Sequence, residues 1–319
     1  MKYYQQFIKY CKNGDLDNIK ILLNTHNVNI HMGNEDGIVC ACENGHLNII
    51  EYIINLHKTN PNYEKIDIHM SNETLFRNAC KNGDINIVKY LVNLYKTNPD
   101  LDYDIINIFT NKPYWNYNGF LLACSNGHID IVEYLINLYK INSDYKNLNT
   151  NIDEETYKLG YTHLGFMSAC NNGHLNIVDY LINLYQIDPN YDIININAHY
   201  ERGFISACSN GHYDIVEYLV NLHKNNPAYK KINIHVQDEL GFRTACENGH
   251  LNIVKCLVNL YKTNSDYEKI NIHVCNDSVI KTTCEYGFSD IIIFLVNLHK
   301  NNPDYTKFVF IQTIIDSCK

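Results

Sequence analysis

The sequence predicts an all-α solenoid of stacked helix pairs, and three observations carry that expectation. A short signature, A-C-x-N-G-H/D, recurs as ACENGH (41–46), ACKNGD (79–84), ACSNGH (123–128), ACNNGH (169–174), ACSNGH (207–212) and ACENGH (245–250), with weaker copies YCKNGD (10–15) and TCEYGF (283–288). Its glycines, at 14, 45, 83, 127, 173, 211, 249 and 287, are separated by 31, 38, 44, 46, 38, 38 and 38 residues, the spacing of a supersecondary unit. Each copy is followed by an apolar pattern of helical period. One such unit cannot bury its own apolar face, so neighbours must stack. A single array of about eight units over residues 1–319 is therefore expected, in place of two ordinary domains.

Within a unit the elements follow in a fixed order. In GFRTACENG (241–249), Phe242, Ala245 and Cys246 lie three or four residues apart, one apolar face of a short first helix. The glycine closes it, where a left-handed conformation costs a side-chain-free residue little. In HLNIVKCLVNLYK (250–262), Leu251, Val254, Leu257, Val258 and Tyr261 mark a longer second helix. NPDY or NSDY is expected to stop it, the proline being the agent. A short β-prone INIH and a polar projecting turn lead into the next unit. The ends read as caps. Polar Lys2, Gln5, Gln6 and Lys9 cover the first repeat, and 308–319 (FVFIQTIIDSCK) reads as a capping helix over the last.

Eight of the 12 cysteines, Cys11, Cys42, Cys80, Cys124, Cys170, Cys208, Cys246 and Cys284, stand three residues before a repeat glycine. A tightly packed first helix favours small side chains, and a thiol serves as a slightly larger alanine. Equivalent positions in stacked helices lie roughly 8–10 Å apart, too far for a bridge that needs about 4.4–6.8 Å between Cα atoms. No disulfides are expected, and there is no CxxC pair.

These pieces resemble the ankyrin repeat: Ala245-Cys246, Gly249-His250, Leu251, Ile253-Val254 and Leu257-Val258 match its small pair, Gly-His and LxIVxxLL helix. The resemblance spans essentially the whole chain. It departs in three ways. The T-P-L-H opening is missing, the regular unit is 38 residues rather than 33, and the glycine ending the second helix gives way to NLYK or NLHK plus a connector. The second helix should therefore run about a turn further, except in the first repeat, where ILLNTHNVNIH (21–31) keeps the short connection. This extended, Asn- and Tyr-rich unit is similar to the ankyrin families of giant DNA viruses of amoebae. The resemblance implies a non-catalytic scaffold that binds a host or viral protein, in the host cytoplasm if viral. The alternative is a structural repeat component of a virus particle or inclusion.

Composition narrows the rest. The chain is 45% hydrophobic, too apolar for wholesale disorder, yet no run is long enough to span a membrane and the start has no apolar leader. A cytoplasmic protein without membrane contact is expected. The net charge of −9, spread without basic blocks, disfavours a nucleic-acid partner. Five histidines follow repeat glycines (His46, His128, His174, His212, His250) and four close the β-prone segment (His31, His69, His235, His273). Their periodicity makes ladders, whereas zinc needs ligands converging on one point. HxxxH, HExxH, GxSxG and the Walker loop are absent, so no enzyme, metal or cofactor is expected.

Candidate binding residues come from where the copying breaks. The steps before Gly127 and Gly173 gain six and eight residues over 38, both ahead of the first helix. The first long finger, 103–119, carries Phe109, Tyr114, Trp115 and Tyr117. The second, 145–165, carries Tyr157, Tyr161 and His163. Tyr200, in the next projecting turn, joins them. Insertions in solenoids map to one face, often the binding face, and aromatics anchor interfaces. The competing reading is that the two fingers brace each other. A protein partner and a monomeric chain complete the expectation.

Overall fold

The computed structural model describes residues 2–97, 118–141, 154–187, 193–275 and 277–301. Among them there are 16 helices and no strand, and none of the helices is long and apolar enough to cross a membrane. The chain falls into two compact units, Met1–Tyr157 and Lys158–Lys319. The capping helix expected at 308–319 lies outside the described residues.

The first unit holds α1 (Lys2–Asn13), α2 (Leu16–Thr25), α3 (Met32–Glu43), α4 (Leu47–Thr59), α5 (Met70–Asn82), α6 (Ile85–Thr97), α7 (Gly119–Asn126) and α8 (Ile129–Ile141). Odd-numbered helices pack on one another in sequence and each also packs on its even partner. The second unit contains most of α9 (Glu154–Asn172), then α10 (Leu175–Ile187), α11 (Ala198–Ser209), α12 (Tyr213–Asn225), α13 (Val236–Glu247), α14 (Leu251–Thr263), α15 (Ser278–Glu285) and α16 (Ser289–Asn301), in the same pattern.

The first helices approach closely because their contact faces are small. Ala41, Ala79, Ala207 and Ala245 and the neighbouring cysteines are fully buried. A second device appears one turn earlier. A Cβ on Gly203 would stand 2.7 Å from Cε1 of Phe166, and one on Gly241 would stand 2.8 Å from Cε1 of Phe204. The bare glycine is the seat for the preceding repeat's phenylalanine, and Gly37 and Gly119 seat Phe7 and Phe76 in the same way. Where the preceding residue is Ile38, its successor is Leu75, both buried. A smaller ring-position residue leaves room for a larger neighbour. Val279 after Phe242 departs from this pairing, and nothing in the structure explains it.

Each first helix ends as the glycines predict. All eight repeat glycines have φ between 74° and 85°, and the next N–H donates to a carbonyl five residues back, as from His212 to Ala207 (3.0 Å). The second helices α4, α12 and α14 have 13 residues against 10 in α2, close to the extra turn expected. The stop is not the proline. Thr263 ends α14 before Asn264-Ser265 just as Thr59 ends α4 before Asn60-Pro61. The shared agent is asparagine. Its backbone turns extended, and Oδ1 of Asn264 and Asn60 accepts the N–H two residues on at 3.2 and 3.1 Å.

The β-prone segment keeps its alternation without joining a sheet. Ile66 and Ile68, Ile232 and Ile234, and Ile270 and Ile272 are buried while Asp67, Asn233 and Asn271 face solvent. The chain then makes a turn of the opposite hand. Gly33-Asn34-Glu35, Ser71-Asn72-Glu73, His199-Tyr200-Glu201 and Gln237-Asp238-Glu239 all have positive φ. Left-handed backbone costs roughly 1–2 kcal/mol per non-glycine residue, so something must hold it. The third residue of each is a buried glutamate whose Oε1 accepts from a side chain four residues earlier. The donor is Nδ1 of His31, His69 and His235 (2.8, 2.9 and 2.9 Å), or the Asn197 amide (3.1 Å). Arg77 and Arg243 add Nη1–H bonds to the carbonyls of the turn's first two residues at 3.3–3.5 Å.

Seven ladder cysteines are free and buried. Burial raises the thiols of Cys80, Cys124, Cys170, Cys208 and Cys246 far up, and that of Cys42 to about 12. Cys284 corrects the expectation of no disulfide, because it is disulfide-bonded. The spacing argument excludes only bridges between equivalent ladder positions. The other seven being free, that part of it stands.

Candidate interaction surface

The two expected fingers differ. Phe109, Tyr114, Trp115 and Tyr117 lie outside the described residues. Nearby, Asn118 caps α7 by accepting from the Leu121 N–H at 2.7 Å, so the helix starts at the very end of the first finger. The second finger, read as a projecting loop over 145–165, is helical from Glu154 onward. Where Asn195-Ile196-Asn197 leads into a left-handed turn in the next repeat, this segment has Tyr157-Lys158-Leu159.

Tyr157 sits on that helix. Tyr161 is 8% exposed and belongs to the core. His163 is half-buried, and its Nε2 accepts the backbone N–H of Asn195 at 2.8 Å. In the following repeats the counterpart of His163 is Glu201 and then Glu239, whose Oε1 accepts the N–H of Asn271 at 3.0 Å. The imidazole thus stands in for a carboxylate that links one repeat to the next. Tyr200 is 70% exposed at the middle of a left-handed turn, with φ 58°.

Beside Tyr200 lies a groove of about 320 Å³, formed on three successive first helices of the second unit. Asn171 comes from α9; His199, Arg202, Ile205, Ser206 and Ser209 come from α11; Gln237, Leu240 and Thr244 come from α13, and Asn210 follows α11. No aspartate or glutamate lines it. Ile205 and Leu240 are its apolar side chains; the rest are polar or cationic. Sequence reading missed this groove because its residues look like ordinary polar positions of a first helix. Arg202 was the available signal, since the same position holds Asp36, Thr74, Leu164 and Leu240 in other repeats.

The histidine ladders are occupied with structure. Nε2 of His46, His128, His212 and His250 bonds the backbone carbonyls of Lys12, Lys81, Asn171 and Ser209 at 2.9–3.0 Å. A carbonyl only accepts, so the Nε2 nitrogen carries the proton. His46, His212 and His250 stand at second-helix N-termini and make no side-chain cap bond there, so their rings serve to tie repeats together. The Asn residues before the glycines divide between two roles. Asn44, Asn126 and Asn172 bond carbonyls four residues back, while Asn82, Asn210 and Asn248 reach across to the preceding repeat. Among the described residues no group of three or more His, Cys, Asp or Glu could hold a metal ion.

Comparison with known proteins agrees with this architecture. A family model described as ankyrin repeats (3 copies) matches residues 7–104 and 79–238, well over half of the chain. No curated protein matches it.

Proposed function

Since this chain belongs to the ankyrin-repeat family, we propose that it is a non-catalytic scaffold that holds another protein. One observation supports this most directly. The residues that repeat are buried in the stack or bonded between neighbours, whereas those that vary, Tyr200 and Arg202 among them, are at the surface beside a groove. A chain built this way has a fixed frame and an editable face. The finger aromatics Phe109, Tyr114, Trp115, Tyr117 and Tyr157 extend the same proposal. The partner is read as a host or viral protein met in the cytoplasm, on the likeness of the extended unit to the ankyrin families of giant DNA viruses.

Affinity capture with the full chain, followed by mass spectrometry, tests it. A protein retained through nuclease and high salt is expected, with Trp115→Ala weakening capture roughly thirtyfold, the loss of about 2 kcal/mol at a hot spot. Release by nuclease, or by salt alone, would point to nucleic acid and overturn the reading.

A further inference from the structure

Arginines on the first helices otherwise have local employment. Arg77 and Arg243 occupy the same position in their repeats, and each bonds the carbonyls of its own left-handed turn. In α11 that position is Ile205, and the arginine lies three residues earlier, at 202. Arg202 lines the groove and has no hydrogen bond or ion pair among the described residues. No acidic side chain lines the groove with it, in a chain of net charge −9. The buried carboxylates on the flanking turns are committed: Glu201 to the Asn197 amide, Glu239 to His235 and to the Asn271 N–H.

Tyr200 is out of place in a related way. Its counterparts are Asn34, Asn72 and Asp238, residue types that tolerate left-handed backbone, whereas a bulky aromatic there is an outlier. The turn does not ask for a tyrosine, and the side chain is 70% exposed next in sequence to His199, which lines the groove.

We propose that the groove on α9, α11 and α13 receives an acidic, extended peptide segment of the protein partner, with its carboxylate on Arg202 and its chain covered by Tyr200. This rests on the scaffold reading. A guanidinium with free donors matches a carboxylate in a two-pronged bond. His199 stands on the same rim, and Ser206 and Gln237 offer further uncommitted polar groups for a peptide main chain. At about 320 Å³ the groove is at the small end of ligand sites, room for a few side chains. Ile205 and Leu240 would take an apolar residue next to the acid.

A random peptide library displayed on phage, selected on the full chain and counter-selected on Arg202→Gln, tests the assignment. Enriched peptides should share an aspartate or glutamate. A synthetic copy should bind about tenfold more weakly to Arg202→Gln and to Tyr200→Asn, and its amide twin should bind the native chain as weakly. Both variants should keep the native unfolding midpoint. Enrichment of peptides without an acid, no enrichment at all, or indifference to Arg202→Gln would overturn the site. Succinate binding with the same sensitivity to Arg202→Gln would replace the peptide with a small dicarboxylate and overturn the proposal in that form. If the chain captures a protein whose affinity Arg202→Gln leaves unchanged, this site fails while the scaffold reading stands.

Discussion

The imidazole of His212 rests on Gly173: a Cβ on that glycine would stand 2.5 Å from Nδ1, while Nε2–H of the same ring bonds the Asn171 carbonyl at 3.0 Å. The glycine therefore serves two ends, its own left-handed φ of 82° and the seat for the next repeat's histidine. Gly287 has the same φ and nothing within 4 Å of a Cβ. Gly287→Ala should cost only the backbone term, about 1–2 kcal/mol. Gly173→Ala should cost roughly 1 kcal/mol more, because the ring and its hydrogen bond must shift. Urea unfolding of the two variants side by side checks this, and equal losses would mean the histidine seat contributes nothing.

The phenylalanine and glycine seats predict a rescue. Gly241→Leu alone should destabilise by several kcal/mol, since any Cβ there meets Phe204. Adding Phe204→Ile should recover most of the loss, recreating the native Ile38 and Leu75 arrangement. The double-mutant cycle should show a coupling of about 1–3 kcal/mol, and simple additivity of the two losses would refute the seat.

The His235 and Glu239 pair predicts a pH dependence. The hydrogen bond to Glu239 raises the His235 pKa above its usual value, aided by the charges of Glu239 and Glu268 and opposed by burial and Lys231. A raised folded pKa stabilises fully below the unfolded value, roughly 6.5, and the contribution is lost as pH rises through the folded pKa. His235→Asn should keep the turn, because Asn197 already bonds Glu201 in the preceding repeat. The variant should lose ground to the native chain at pH 5.5 and approach it at pH 8. Unfolding midpoints across that range, with an NMR titration of the ring, read the effect.

The thiols predict an order of labelling. Cys275 is exposed and should react first among the described cysteines. Cys80, Cys124, Cys170, Cys208 and Cys246 should resist a bulky alkylating reagent in the native state, being buried and held protonated. Cys208→Ala should cost about 1 kcal/mol or less, and Cys208→Asp several. Mass mapping after timed alkylation distinguishes the classes, and rapid labelling of the ladder would mean the first helices are not packed as described.

Most of the frame was legible in the sequence. Helix periodicity, the closing glycines and the small cysteine face each have a local cause, so Phe242, Cys246 and Gly249 could be placed without a structure. The left-handed turns were not legible. Asn34, Asn72 and Asp238 are tolerant of that backbone, but Ser71, Gln237 and Tyr200 give no such sign. The turn is set by a contact, His or Asn to Glu four residues later, and only the recurrence of that pair could have flagged it. The second finger misleads for the opposite reason: extra length before Phe166 suggests a loop, and from Glu154 onward the chain is helix. Asn264 shows how a visible proline can take credit for a stop that its neighbour makes.

The seats also constrain how such a gene can lose or gain repeats. At four joints a socket glycine receives the plug of the unit before it: Gly37 and Phe7, Gly119 and Phe76, Gly203 and Phe166, Gly241 and Phe204. Deleting the unit with Gly37 and Ile38 would bring Phe7 against Leu75, a plug without a socket. Deleting it together with the unit of Leu75 and Phe76 would bring Phe7 to Gly119, a matched joint. Removing these two units together is therefore expected to cost less stability than removing either alone, whereas a unit that carries both Gly and Phe, such as the one with Gly203 and Phe204, is expected to leave matched neighbours when removed singly. At those joints the compatibility of two neighbouring units comes down to two residues, and the joint of Phe242 with Val279 stands outside that rule.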